Sequence, residues 1–395
     1  MNSLKVRLSF IVMIALLACL PLVGSYIHWG ALPPGFDLLA DERTVRPQTS
    51  WLVFVILTLV AIPIWSFVCK PQWFGFKGRE LMEKLAKPAN SVNTRGMSKV
   101  NLPWWFYVGL VIFAVCWIVM WGQYEALGAI RYFMFVPLWW GFTLFLDGIV
   151  YYRRQGVSFI STRPWLLLGC GVFSMFGWYY FEYLNFFVLQ NWFYPYLDLL
   201  PAPFTYLWSF ITFSTVWPSL FVWYQLLDTY PAIGNRYTNG PQTAIGKRGC
   251  WLWMLIGAVM TVITPIWPDQ LFWLIWVGPL LIIASGLALL KVWTPFTDMQ
   301  QGDWSKVMTI ALATLCNSVC WEMWNYWSAP NNPNFWHYNL PYVHEFLVFE
   351  MPVLGFSGYL FFGPVCWVCW ILCAKLIGVE SSIDLDELKQ PKDKL

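Results

Sequence analysis

Long apolar stretches recur along this chain, and they constrain its fold more than any single motif does. About ten of them are roughly 20 residues long, which is the length at which an α-helix crosses the hydrocarbon core of a bilayer. Hydrophobic residues make up 58% of the chain and charged residues only 11%, and this balance excludes an ordinary soluble domain. We therefore predict an all-α membrane protein with about ten transmembrane helices.

The predicted spans set the frame for everything that follows. They are residues 8–27, 51–69, 104–124, 132–152, 165–187, 206–228, 250–267, 271–292, 306–327 and 346–376. If both termini are cytoplasmic, 21 of the 24 Lys and Arg residues lie on the inner side, as the positive-inside rule requires. We predict an integral protein of the bacterial cytoplasmic (inner) membrane with both termini in the cytoplasm.

The first apolar stretch allows a second interpretation. Lys5 and Arg7 precede it and Cys19 lies within it, a pattern that also occurs in cleaved secretory signals. The apolar run continues past Cys19 to Val23, which favours an uncleaved span, and the question of cleavage stays open. The chain contains ten cysteines, nearly all inside predicted helices or at their cytoplasmic ends, so a secreted fold held by disulfides is excluded.

Four regions follow from this pattern. Residues 1–103 hold two helices and a basic cytoplasmic loop, 104–245 and 246–376 each hold four helices, and 377–395 form a charged cytoplasmic tail. In the basic loop, Trp73, Phe74 and Phe76 precede several lysines, which predicts a short amphipathic helix on the inner leaflet. An ordinary positively charged loop is the alternative.

A repeated motif links the two four-helix regions. The segment Phe181-Glu-Tyr-Leu-Asn-Phe-Phe187 is followed by Trp192-Phe-Tyr194, and Trp321-Glu-Met-Trp-Asn-Tyr-Trp327 is followed by Trp336-His-Tyr338. Four spans is an even number, so both copies insert in the same orientation. We predict a tandem four-plus-four parallel repeat, related by a pseudo-twofold axis along the membrane normal, with two extra N-terminal helices.

The repeated motif places ionisable side chains inside predicted spans, where charge is costly and usually functional. Glu182 with Asn185, and Glu322 with Asn325, are three residues apart and share a helix face. Glu350 is expected about one turn into the last span. If the pseudo-twofold holds, these groups converge on an outward-lying pocket between the repeats.

The candidate residues divide into two groups. The predicted catalytic acids are Glu182, Glu322 and Glu350, and the predicted substrate-binding or orienting residues are Asn185, Asn325, Trp192, Tyr194, Trp324, Trp336, Tyr338 and His344. Further aromatic residues are expected in the wall of the pocket, namely Trp178, Tyr179, Trp321 and Tyr326. An apolar pocket disfavours the charged form of a carboxyl group, so such an acid can donate a proton, and aromatic rings can stabilise a developing cation.

Three classes of function remain open at this point. The first is the binding or acid-catalysed rearrangement of an isoprenoid-like apolar lipid. The second is a proton- or cation-coupled transporter in which Glu182 and Glu322 carry the ion. The third is a structural or assembly subunit, whose aromatic face binds lipid or partner subunits in the membrane. Whether the protein is an enzyme is undecided by its sequence.

Other kinds of site receive less support. The chain has only three histidines, too few for a di-iron centre built on many His ligands, and no nucleotide or nucleic-acid motif, so we predict neither a cofactor nor a nucleic-acid partner. We predict no metal, although His337, His344, Glu345 and Glu350 form a conceivable ligand set. Asp147 is expected to form a local ion pair with the arginines that follow it. We interpret Cys366, Cys369 and Cys373, and likewise Cys316 and Cys320, as small packing residues.

Two resemblances rest on particular motifs. Residues 147–158, 180–185, 302–304, 321–327 and 349–355 resemble a group of uncharacterised polytopic bacterial membrane proteins, over roughly residues 104–370. That resemblance implies no function.

The second resemblance is fainter and concerns the outer loop. Trp336-His-Tyr338, Pro341 and Glu345 are similar to the motifs of small membrane lycopene cyclases, which are also tandem repeats with a Trp-x-Tyr and a Pro-x-Glu-Glu motif. It implies cyclisation of a carotenoid. The pattern departs from that family at the paired glutamates, because Glu345 and Glu350 are five residues apart.

Overall fold

A computed structural model describes residues 3–36, 46–78 and 100–385, and within these residues the protein is a bundle of α-helices with four very short strands. The longer helices are α1 (Ser3–Trp29), α2 (Trp51–Cys69), α3 (Trp104–Gly122), α4 (Phe135–Arg153), α5 (Pro164–Phe186), α6 (Ala202–Thr212), α7 (Val216–Asp228), α8 (Lys247–Ile263), α9 (Leu274–Leu289), α10 (Ser305–Tyr326) and α11 (Phe356–Ile377). Short helical turns lie between them at Pro71–Phe74, Glu125–Phe133, Phe159–Thr162, Leu197–Leu199, Phe213–Thr215, Pro231–Gly234, Asn235–Tyr237, Pro268–Leu271, Asp298–Gln301 and Val353–Gly355.

Six helices in the described part of the chain are long and apolar enough to cross a membrane: Val6–Trp29, Trp51–Cys69, Trp104–Gly122, Phe135–Arg153, Ser305–Tyr326 and Val353–Ile377. The prediction of an all-α membrane protein is therefore confirmed at this level. The remaining four predicted spans also contain helix, but the count of ten spans stays a prediction.

One predicted span is interrupted. Helices α6 and α7 are separated by a tight turn at Phe213–Thr215. Pro218 has no N–H to offer the carbonyl of Ser214 four residues before it, and one residue earlier the Ser174 hydroxyl of α5 enters the backbone hydrogen bonds of the same turn. This hydroxyl donates to the carbonyl of Phe213 (2.6 Å) and accepts from the N–H of Trp217 (3.1 Å). The broken helix thereby presents the Thr212–Thr215 region to the interior.

Two helix pairs in the bundle pack closely against each other at glycine residues. Helix α3 packs on α4, where a Cβ added to Gly109 would lie 2.6 Å from the carbonyl oxygen of Gly141. Helix α8 packs on α9, where a Cβ on Gly257 would lie 2.7 Å from the carbonyl oxygen of Gly278. Both contacts are too short for a side chain, so these helices approach as closely as small-residue membrane interfaces allow.

The strands lie together at one end of the bundle, which we call the paired-strand end. There, β1 (Trp192–Phe193) pairs antiparallel with β2 (His337–Tyr338), with Trp192 opposite Tyr338 and Phe193 opposite His337. A second antiparallel pair joins β3 (Leu347–Val348) to β4 (Met351–Pro352). Helices α5 and α10 end here and α11 begins here, so the segments that carry the repeated motif meet at this end.

Arg46 closes part of the same end. It is buried and donates to the carbonyl of Val188 and to the amide oxygen of Asn191 (3.3 Å), while its Nε lies 3.1 Å from a carboxylate oxygen of Asp269. Burial lowers the pKa of Arg46 to about 10 despite the neighbouring carboxylate. The loop before α2 therefore fixes the segment leading into β1.

The opposite end is closed by the C-terminal segment. The Trp370 indole N–H donates to the carbonyl of Ser381 (2.9 Å), and Ile383 and Leu385 are fully buried. Lys306 lies 3.3 Å from a carboxylate oxygen of Asp384. The described start of the predicted charged tail is thus packed into the bundle, and residues 386–395 lie outside the described residues.

Asp147 has a different role from the one expected. Its carboxylate accepts hydrogen bonds from the Trp105 indole (3.1 Å), the Ser158 hydroxyl (2.7 Å) and backbone N–H groups of the helical turn after Ser158. Arg154 pairs instead with Asp228. The predicted ion pair of Asp147 is therefore wrong, because the carboxylate caps a short helix.

The predicted amphipathic helix falls mostly on residues that the structure does not describe. Trp73 and Phe74 are exposed, whereas Phe76 is buried against Tyr237 and Trp304. The basic residues at 79–99 lie outside the described part. The described aromatic residues thus have two different environments.

Candidate functional site

An aromatic cavity of about 130 Å³ lies at the paired-strand end. Its walls come from α4, α5, the turn between α6 and α7, α9, α10, the two strand pairs and the start of α11. The lining residues are Phe135, Trp178, Trp192, Tyr194, Thr212, Phe213, Thr215, Val216, Trp276, Trp321, Asn334, Trp336, Tyr338, Met351, Gly355, Gly358, Tyr359 and Phe362. Few of these side chains are polar, so the cavity suits an apolar ligand or one that packs against aromatic rings.

Glu322 stands behind this aromatic wall. Its side chain is 0% exposed, near the C-terminal end of α10. One carboxyl oxygen accepts hydrogen bonds from the hydroxyls of Tyr338 (2.7 Å) and Tyr359 (2.6 Å), and both tyrosines line the cavity. The two hydroxyls are 3.3 Å apart. Glu322 thus does not line the cavity, but it holds the hydroxyls of two tyrosines that do.

Glu182 has a matching position on α5. It is 3% exposed, and one carboxyl oxygen accepts from the Trp178 indole (2.7 Å), the Trp192 indole (3.0 Å) and the Tyr194 hydroxyl. All three donors line the cavity. Glu182 therefore fixes the positions of two indole N–H groups and one hydroxyl that belong to wall residues, without lining the cavity itself.

Two asparagines anchor the loops that carry these donors. The side-chain N–H of Asn185 donates to the carbonyl of Trp192 (2.8 Å), and its oxygen accepts from the N–H of Trp192 (3.5 Å). Asn325 makes the same two contacts with Trp336, at 2.8 and 2.9 Å. Neither asparagine lines the cavity. Each hydrogen-bonds its own loop backbone and thereby positions the Trp-x-Tyr motif against the preceding helix.

The buried carboxyl groups behind the wall affect the tyrosine hydroxyls that contact them. The pKa values of the Tyr194 and Tyr338 hydroxyls are raised well above the usual tyrosine value by burial and by the adjacent carboxyl groups. Both hydroxyls therefore remain protonated and available as donors. The second oxygen of Glu182 and of Glu322 is buried, without a hydrogen-bond partner among the described residues.

Glu350 does not lie in the last helix. It precedes β4, six residues before α11 begins at Phe356, in the connection between β3 and β4. Its carboxylate lies 2.6 Å from Nδ1 of His337, which is 40% exposed. Glu350 therefore joins the β3–β4 hairpin to β2 at the rim, and only the neighbouring Met351 reaches the cavity.

Several other predicted wall residues lie elsewhere. Trp324 is 1% exposed and packs in the core, with ring-centroid distances of 4.8 Å to Trp139 and 4.9 Å to Phe142. His344 and Tyr326 are exposed and do not line the cavity. The error for Trp324 has a helical cause: Trp321 and Trp324 are three residues apart, but only Trp321 is turned towards α5 and α11.

The residues missed by sequence reasoning come mostly from helices outside the motif. Trp276 of α9 stacks on Trp192 with a centroid distance of 5.9 Å, and Phe362 of α11 lies between several wall tryptophans. Tyr359 lies inside the last predicted span, residues 346–376, where nothing in the sequence distinguishes it from the other aromatic residues. Tyr179 lines a smaller adjoining cavity of about 10 Å³ together with Glu182.

Among the described residues, no group of three or more His, Cys, Asp and Glu side chains lies close enough together to hold a metal ion. The ligand set considered among residues 337–350 is not assembled, because His337 contacts Glu350 while His344 is exposed. Cys366 and Cys369 are buried in the core as free thiols, in keeping with a packing role.

Comparison with known proteins adds no assignment. No family model, no curated protein sequence and no solved structure matches this chain.

Proposed function

We propose that the protein binds an apolar, lipid-like molecule in the aromatic cavity at its paired-strand end. The observation that carries this proposal is the wall itself, which joins five tryptophans to tyrosine and phenylalanine rings around about 130 Å³. Buried aromatic surface of this kind is costly to leave facing water and favourable to cover with an apolar ligand. The few hydroxyl and indole donors would orient that ligand.

We further propose that the two halves, residues 104–245 and 246–376, are tandem repeats related by a pseudo-twofold axis. Matching contacts support this: Asn185 and Asn325 bind their loops in the same way, and each glutamate accepts from the tyrosine of its own Trp-x-Tyr motif. The β1–β2 pairing is also symmetric under such an exchange. Phe193 faces its motif equivalent His337, which would place the axis between these two residues.

Binding is supported more directly than catalysis. An acid-catalysed rearrangement would need a proton at the substrate, yet the carboxyl of Glu322 is separated from the cavity by Tyr338 and Tyr359. In such a step the phenol would give its proton to the substrate and take one from Glu322. We therefore assign Glu182 and Glu322 first to positioning the wall.

A side chain grown into the cavity tests the proposal. Gly358 lines the cavity in helical backbone, and a Cβ added there meets nothing within 4 Å, so Gly358→Met fills the space without a clash at that atom. Gly169 is the matched control, because it is also helical and a Cβ there would meet its nearest atom, on Trp370, at 3.9 Å. The measurement is mass spectrometry of lipid retained by each protein after purification in mild detergent.

We expect the wild type and Gly169→Met to retain the same non-bulk lipid and Gly358→Met to lose most of it. Equal recovery of bulk phospholipid alone from all three proteins would contradict the proposal. Glu322→Gln, analysed together with cellular lipids from a deletion strain, tests the chemical step separately. A bound molecule whose structure is the same with and without Glu322 would limit the function to binding.

We also propose that the paired-strand end faces outward from a bacterial inner membrane, with both termini in the cytoplasm. The distribution of lysine and arginine supports it. Alkaline phosphatase fused after Asp198 or Leu340 should be active, and fused after Gly240 inactive. Activity after Gly240 together with inactivity after Leu340 would reverse the orientation.

A further inference from the structure

We infer that the cavity holds a substituted ammonium group, carried by a lipid head group or by a small solute. The inference rests on the proposed function, since it names the class of ligand for the same cavity. It is carried by one juxtaposition: all five donors that contact Glu182 and Glu322 also line the cavity.

The composition of the wall suits a soft organic cation. Five tryptophans and three tyrosines line the space, namely Trp178, Trp192, Trp276, Trp321, Trp336, Tyr194, Tyr338 and Tyr359. Ring faces attract alkylammonium groups through their quadrupole, and tryptophan does so most strongly. Aromatic cages built from several such rings are the usual way in which proteins recognise quaternary ammonium ligands.

The carboxyl layer strengthens this attraction. An indole N–H or phenol O–H that donates to a carboxyl oxygen has a more electron-rich ring, because the hydrogen bond draws the proton away from the ring system. Two of the five tryptophans, Trp178 and Trp192, donate to Glu182, and two tyrosines donate to Glu322. The described lining residues include neither Lys nor Arg, so a positive ligand would meet no like charge in the wall.

The same geometry disfavours a small, strongly hydrated cation. Such ions require several oxygen ligands in direct contact. The carboxyl groups of Glu182 and Glu322 do not line the cavity, and the Thr212 hydroxyl and the Asn334 amide are already hydrogen-bonded to each other (3.1 Å). An alkylammonium ion needs no such ligands, because rings replace its hydration shell.

Pairs of charged and neutral probes test the inference on the purified protein. The first pair is choline and its uncharged isostere, in which a quaternary carbon replaces the ammonium nitrogen. The second is decyltrimethylammonium and its carbon isostere with the same chain. Binding is measured by tryptophan fluorescence and calorimetry in a neutral maltoside detergent, with Gly358→Met and Gly169→Met as the filled and matched control proteins.

We expect the charged member of at least one pair to bind about tenfold or more tightly than its isostere. Gly358→Met should abolish the binding of both members of that pair. Discrimination in the choline pair would indicate a small solute, and discrimination in the decyl pair alone would indicate a lipid head group. Trp336→Leu removes one ring from the wall, while Asn325 can still hydrogen-bond the backbone of residue 336. This variant should reduce the discrimination between charged and neutral probes severalfold.

Equal affinity for charged and neutral members in both pairs would overturn the inference and leave the proposed apolar site intact. The proposed function fails separately, when filling the cavity with Gly358→Met leaves the retained lipid unchanged. The double variant Glu182→Gln with Glu322→Gln tests whether the two carboxyl groups contribute to the discrimination between charged and neutral probes. If the variant folds and its discrimination equals that of the wild type, the carboxyl layer has no part in recognition.

Discussion

The carboxyl sites around Glu182 and Glu322 share an architecture but differ in their donors. Glu182 accepts from two indoles and one phenol, all within 12 residues of it in the sequence. Glu322 accepts from two phenols, one of which is 37 residues away on α11. The first site is thus complete within one helix and its following loop, whereas the second joins α10 to α11.

The difference in donor chemistry has a functional consequence. An indole N–H can only donate, so Trp178 and Trp192 each need an acceptor and Glu182 supplies it. A phenol can donate and accept, and Tyr338 and Tyr359 lie within 3.3 Å of each other. The Glu322 site can therefore rearrange its hydrogen bonds or exchange a proton between its two phenols, whereas two of the three donors at the Glu182 site can only donate.

The largest expected effect is a difference in stability between Glu182→Ala and Glu322→Ala. Removing Glu182 leaves three donors without an acceptor, of which Trp192 is buried and Trp178 and Tyr194 are partly buried, and each unsatisfied buried group costs about 1–3 kcal/mol. Removing Glu322 leaves two hydroxyls that can bond to each other. We expect Glu182→Ala to lower the melting temperature in detergent clearly more than Glu322→Ala, as measured by fluorescence-detected size-exclusion chromatography after heating.

Glu182→Gln and Glu322→Gln are the controls for that comparison. Glutamine keeps the accepting oxygen, so both variants should lie much closer to the wild type than the alanine variants do. An equal loss for both alanine variants would show that the indoles at Glu182 find other acceptors, and the contrast between the two sites would fail.

The two asparagines differ in the hydrogen bonds that they make to their loops. Asn325 makes two short hydrogen bonds to Trp336, at 2.8 and 2.9 Å, whereas one of the two bonds of Asn185 is stretched to 3.5 Å. Asn325→Ala should therefore destabilise the protein more than Asn185→Ala, by about 1 kcal/mol, the net contribution of one hydrogen bond. Thermal denaturation of the two variants, each made also as Asn→Asp to keep the acceptor, measures this difference.

Sequence reasoning found the parts of this arrangement that are local. The helix periodicity placed Glu and Asn three residues apart on one face, and the repeated Trp-x-Tyr motif identified four wall residues, Trp192, Tyr194, Trp336 and Tyr338. It also identified the class of fold, since apolar stretches of span length are read directly from the chain. These features need only neighbours along one helix and the loop that follows it.

Contacts between helices were not accessible in the same way. That Trp276 and Tyr359 complete the wall depends on how α9 and α11 rotate about their axes. That Glu182 and Glu322 lie behind the wall depends in the same way on α5 and α10. The placement of Glu350 failed because apolar residues continue from Phe346 through a β-hairpin that composition does not distinguish from a helix. Pro352 was the available signal against helix in that segment.

The smallest expected effect comes from removing one hydroxyl at the more adaptable site. Tyr359→Phe keeps the ring in the wall but deletes one of the two donors to Glu322, while Tyr338 still satisfies the same carboxyl oxygen. We expect a loss of stability of about 1 kcal/mol or less and an unchanged amount of retained lipid. Tyr179→Phe is the matched control, because that hydroxyl makes only a long contact of 3.4 Å with the carbonyl of Tyr206. A large loss of lipid in Tyr359→Phe, with Tyr179→Phe unaffected, would show instead that the Tyr359 hydroxyl contacts the ligand directly, and the two carboxyl sites would then differ in function as well as in support.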